Sequence, residues 1–144
     1  MTNLQHGPVT ATRPRARAGR RALVVLAAVL AASLVWLIAV PLLAIEVTVP
    51  VRYGASERVD LALVPVVFAA LLAGLAGWAL LAVLERFTTK ARLIWTVIAL
   101  VVFVVTLPWM PDATAAEITV LALLHAAVAA ALIPGLPRAG RLTD

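Results

Sequence analysis

Residues 22–40 read ALVVLAAVLAASLVWLIAV, 19 positions without a single charge. An α-helix over them rises 1.5 Å per residue and measures about 28 Å, close to the hydrocarbon thickness of a bilayer. The apolar core of a secretory signal is only about 7–15 residues long and precedes a small-residue cleavage site. Neither a cleaved signal nor a twin-arginine export signal at Arg20-Arg21 fits this longer run, which more apolar runs follow, so the segment is expected to stay in the mature protein. Pro41 has no N–H to donate and its ring crowds the Leu37 carbonyl, which kinks or ends the helix over its last turn, within a span of about 22–45.

Three further apolar runs follow. The second, residues 61–84, has Pro65 near its start; at the first helical position the missing N–H costs nothing, and Pro65 to Leu84 gives 20 residues. The third is apolar, Thr96 and Thr106 apart, only over the 15 residues from Leu93 to Leu107, about 22 Å. A span of 89–107 requires Lys90 and Arg92 to reach back to the headgroups. The fourth, 113–133, opens on Thr114-Ala115-Ala116-Glu117, the pattern of a capping box in which each side chain satisfies an orphan backbone donor. Pro134-Gly135 predicts its end.

The whole composition agrees with these runs. Of the 144 residues 64% are apolar and 13% charged, and the mean hydropathy is +1.07, whereas soluble domains run about 45–50% and about 25%. Backbone polar groups in hydrocarbon must be bonded internally, so the fold class is all-α integral membrane, with lipid as the main partner. The chain has no cysteine, which excludes disulfides, thiolate zinc sites and a cysteine nucleophile. The richness in Ala, Val, Leu and Arg fits a GC-rich bacterial genome.

Charge sets the orientation. Ten of the twelve basic residues lie in the segment to Arg21, in the second connection (Arg86, Lys90, Arg92) and in the C-terminal tail (Arg138, Arg141). Only Arg52 and Arg58 fall in the other two connections, so both termini are expected in the cytoplasm. The short second and third connections imply antiparallel neighbours, hence an up-down-up-down four-helix transmembrane bundle over 22–134. Residues 1–21 are expected to be a disordered basic cytoplasmic tail and 135–144 a short second one. The arginines of the first tail would attract anionic lipid headgroups, and nothing accompanies them that suggests nucleic acid. Val47, Val49, Val51 and Tyr53 alternate at period two, which reads as an extended or hairpin-like piece on the outer surface.

Few residues suggest chemistry. His125 lies 11 positions past Thr114, about 16 Å deep, where an ionisable side chain is by default a functional candidate. Ser33 lies 11 positions past Ala22 at a matching depth, so a polar Ser33–His125 contact between the first and fourth spans is expected. Glu117, in a first helical turn, reads as a cap. Ala69, Ala73 and Gly77, with Ala70 and Gly74, repeat at four-residue spacing and form a helix-packing face, used inside the bundle or in a homo-oligomer. Trp95 and Trp109 read as interface anchors, Trp36 and Trp78 as packing residues. No catalytic constellation, metal-ligand set or cofactor box is read in the spans.

The chain resembles a family of small four-span membrane proteins of GC-rich bacteria known only as a domain of unknown function. The resemblance rests on Arg20-Arg21-Ala22-Leu23, Trp36 with Pro41, AGLAGWALLAVLER over Ala73–Arg86, Trp95, and His125 followed by Ile133-Pro134-Gly135-Leu136. It implies a multi-pass membrane protein and carries over no site residue. Small multidrug-resistance transporters are similar in length and span count, but they need a glutamate embedded in the first span, and here Glu46 lies beyond Pro41. The expected role is a non-enzymatic structural, assembly or interaction component of the bacterial inner membrane, with a membrane-protein partner or a homo-oligomer. The alternative is a small transporter or channel-forming oligomer with His125 near its pathway.

Overall fold

The computed structural model describes residues 13–52, 55–107 and 113–140. Expectations for residues 1–12, Tyr53, the connection 108–112 with Trp109, and 141–144 lie outside the described residues. Four helices and a two-stranded hairpin make up the described chain: α1 Arg13–Leu37, β1 Thr48–Pro50, β2 Arg58–Asp60, α2 Leu63–Phe87, α3 Ala91–Val105 and α4 Ala115–Ala139. Ala16–Leu42, Leu63–Phe87 and Ala115–Ala139 are long and apolar enough to cross a membrane, and α3 is apolar but shorter.

Helix α1 corrects the reading of the basic tail, because Arg13 to Arg21 are already helical. Arginine and alanine are both strong helix formers, and Pro14 sits in the first turn, where its missing N–H is harmless. The far end behaves as Pro41 demands. Residues 38–42 widen into a π-helical turn in which Leu43 N–H donates to the Ile38 carbonyl at 2.9 Å, and Ala44 then takes a left-handed φ of 51° that ends the helix. Along α1 Val25, Ala28 and Ala32 are buried, as is Ala39 in the π-helical turn, while Leu23, Leu26, Leu30, Leu34 and Leu37 are exposed. Small residues thus face inward and leucines outward.

The hairpin confirms the period-two signal in an extended piece. Thr48 pairs with Asp60, Val49 with Val59 and Pro50 with Arg58, and Leu61 N–H extends the ladder to the Val47 carbonyl at 2.8 Å. Val47 is buried and Val49 packs on the same cluster, whereas Val51 is exposed. Pro50 is tolerated because a two-stranded ribbon is all edge.

Helix boundaries shift from expectation by two or three residues at several ends, α2 for instance running on to Phe87, and two of the differences have a visible cause. Helix α3 begins at Ala91, not at residue 89, because Thr88 is extended and its hydroxyl accepts from Lys90 N–H at 3.2 Å in a tight turn. Helix α4 runs through Pro134 and Pro137 to Ala139, past the predicted stop. Leu132, Leu136, Pro137 and Ala139 are buried there, and Gly135 lets Val24 approach so closely that a Cβ would lie 2.6 Å from its Cγ1. That packing outweighs the roughly 3 kcal/mol by which proline disfavours a helix interior.

Packing is closest between α1 and α4, then α1 and α2, and sparser around α3. One core cluster joins Ala32, Ala39, Val66, Ala70, Leu121 and Leu124 beneath the hairpin, and a second joins Val25, Ala28, Leu81, Trp95, Leu132 and Leu136 at the other end. Trp36 Nε1 donates to the Leu61 carbonyl at 2.7 Å, tying α1 to the start of α2.

Candidate functional site

The expected small-residue face of α2 divides into two uses. Ala70 and Gly74 are buried, and a Cβ on Gly74 would come within 2.7 Å of Val25 Cγ1, so this line brings α1 and α2 close. Ala69, Ala73 and Gly77, joined by Ala70 itself, line a cavity of about 630 Å³ walled mainly by α2, α3 and α4, with Ala32 of α1 also reaching it. Alanines leave the cavity open because a helix row of methyl groups cannot fill the gap to α3. Of α3 only Ala91 and Trp95 are buried, so this helix is held at one end. Trp95 Nε1 donates to the Gly77 carbonyl at 2.9 Å, which corrects its reading as an interface anchor. Trp78 packs on the second core cluster as expected.

His125, on α4, lies on the wall of this cavity. The expected hydrogen bond between Ser33 and His125 is not made. Ser33 Oγ donates to the Val29 carbonyl at 2.8 Å, and His125 Nδ1 lies 2.9 Å from the Leu121 carbonyl, each within its own helix. Matching depth on neighbouring helices does not place two side chains face to face, because the i−4 carbonyl is always within reach of a short polar side chain in a helix. The cavity lining is otherwise apolar apart from Thr106, whose hydroxyl donates to the Val102 carbonyl at 2.7 Å.

Each end of the bundle carries an ion pair. At one end Arg21 Nη2 donates to both oxygens of Glu85, at 2.6 and 2.8 Å, with Gly140 at the end of α4 packed against the pair. Arg21 is 4% exposed and its Nε has no partner among the described residues, so this arginine is turned inward. At the other end Glu117 closes the capping box expected of it: Thr114 Oγ1 accepts from Glu117 N–H, and Glu117 Oε2 accepts from Thr114 N–H at 2.8 Å. Its second oxygen, Oε1, accepts from Thr48 N–H at 2.9 Å, Thr48 Oγ1 at 2.6 Å and Arg58 Nη2 at 3.1 Å. Arg58 Nε also donates to Thr48 Oγ1 at 2.8 Å. The carboxylate is therefore saturated with donors and anchors the hairpin to the first turn of α4.

Sequence reasoning missed both long-range pairs. A signal for the first was present, since Glu85 is an acid standing beside Arg86, Lys90 and Arg92 in a basic connection. Among the described residues no group of three His, Cys, Asp or Glu side chains comes together as a metal site would require.

A family model matches residues 12–142, nearly the whole chain. The chain belongs to DUF6069, a family of unknown function. The match spans all four helices, so the cavity, His125 and both ion pairs lie within the DUF6069 region. No curated protein and no solved structure matches the chain.

Proposed function

We propose that this DUF6069 chain is a multi-pass protein of the bacterial inner membrane, its four spans alternating in direction with both termini in the cytoplasm, acting as a non-enzymatic structural or interaction component. The observation that carries the reading is the outward row Leu23, Leu26, Leu30, Leu34 and Leu37 on α1, with exposed valines and leucines on α3 as well. In water such a contiguous apolar surface would drive aggregation; in lipid it is the ordinary outer face. The sparse packing of α3 supports an interaction role, because a helix held at one end leaves apolar surface for lipid or another membrane protein. The basic residues on one side support the orientation, and Arg138 and Arg86, exposed near the Arg21 end, are placed to meet anionic headgroups.

Fluorescent-protein and alkaline-phosphatase fusions to each end test this directly. The expected result is fluorescence and no phosphatase activity at both ends, with the chain retained in membranes after a carbonate wash. Release by carbonate, or phosphatase activity at either end, would overturn it. A second reading, a small transporter or channel-forming oligomer, is favoured by one observation, the position of His125 on the cavity wall. It requires a flux in liposomes that His125→Ala abolishes.

A further inference from the structure

The cavity extends along α2 from Pro65 to Leu80, about 22 Å. Its volume of about 630 Å³ lies within the roughly 300–1,000 Å³ typical of small-molecule sites. Val102, Ala69 and Ala73 both line it and are exposed, so it opens sideways at the depth of the helices. A molecule dissolved in the bilayer can enter without passing through water.

Its polar chemistry is narrow. The Thr106 hydroxyl and the Trp95 N–H each give their hydrogen to a carbonyl, so neither is left to donate to a ligand. A carbonyl only accepts, so His125 Nδ1 carries the hydrogen that meets Leu121, and in the neutral ring Nε2 is then an acceptor. Among the described residues the hydrogen bond of His125 is made at Nδ1, and none is made at Nε2. A plain acyl chain would satisfy the walls but leave this acceptor unpaired where water is scarce.

We propose that the cavity binds an elongated lipophilic molecule that carries a hydroxyl or N–H group, donates it to His125 Nε2, and lays its hydrocarbon along α2 toward Trp95 and Leu132. Binding at this site rests on the membrane reading, which the carbonate and fusion experiments test separately.

The test uses the full chain in detergent micelles with ¹⁵N-labelled histidine. His125 and His6 are the two histidines, and a His6→Ala variant assigns the signals. The probes are 4-octylphenol, which has a donor, and its methyl ether 4-octylanisole, which does not. The phenol is expected to shift the His125 Nε2 resonance saturably and to bind about fivefold more tightly than the ether, the effect of one neutral hydrogen bond. Ala73→Phe from α2 and, independently, Ala99→Phe from α3 fill the cavity and are expected to abolish the shift. An absent or non-saturable shift in the wild type, equal effects of the two probes, or a shift that persists in whichever filled variant retains its thermal transition would each overturn the proposal.

Discussion

Gly74 and Gly77 sit one turn apart on α2 and make opposite demands. A methyl group at Gly74 would lie 2.7 Å from Val25 Cγ1, inside contact distance, with the Val25 Cγ2 and Cβ atoms close behind. Valine is β-branched and stiff, so the clash is relieved only by moving α1 away from α2. At Gly77 the nearest atoms, on Leu136 and Trp95, stand at 3.4 and 3.6 Å, ordinary contact. Gly74→Ala is therefore expected to destabilise the bundle by about 1–3 kcal/mol as an overpacked core does, while Gly77→Ala is neutral or stabilises by up to about 1 kcal/mol through helix propensity. Thermal unfolding in one detergent compares them, and equal effects would remove the distinction. Both glycines stand out in the sequence as members of one small-residue stripe; which of the two Val25 touches depends on the rotation of α2 about its axis, and a helix apolar all round carries no hydrophobic signal for that rotation.

The hairpin is the element whose placement depends most on a few bonds. Its strands are three residues each, too short to be stable alone. Thr48 donates its backbone N–H and its hydroxyl to Glu117 and accepts from Arg58 at its hydroxyl and carbonyl, so one residue joins the hairpin to the cap of α4. Thr48→Val keeps the shape and the backbone donor but removes the hydroxyl from Glu117 and Arg58. The expected cost is about 1–3 kcal/mol, because two partly buried polar groups lose a partner, and the loss should shrink when Arg58 is already replaced by Met, since the bonds belong to one network. Additive losses in the two single variants and the double variant would show that the groups act independently. The capping half of this network was legible from Thr114 and Glu117, three residues apart; the other half was not, because Thr48 and Glu117 are 69 positions apart and no local pattern records their meeting. The continuation of α4 past Pro134 escaped the sequence for a related reason: the stop signal is local, and the packing of Gly135 on Val24 is not.

For the whole molecule the decisive variable is the solvent. The apolar runs were readable because length and hydropathy are both visible in one dimension; inside and outside were not, since alanine lines the interior of α1 while leucine faces out. This inversion gives a test whose sign depends on the medium. Leu30 is 61% exposed in the middle of the first apolar run. If water surrounded it, Leu30→Arg would remove exposed apolar surface and change stability by no more than about 0.5 kcal/mol, with solubility improved. In hydrocarbon the same substitution opposes insertion by roughly 2.5–3.5 kcal/mol near the centre of a span. Insertion measured by glycosylation mapping of the first span in microsomes is expected to fall for Leu30→Arg and to stay unchanged for Arg17→Ala, outside the apolar run. If Leu30→Arg instead gave a soluble, folded chain, the outward leucines would be a protein-facing surface and the lipid-facing assignment of α1 would be lost.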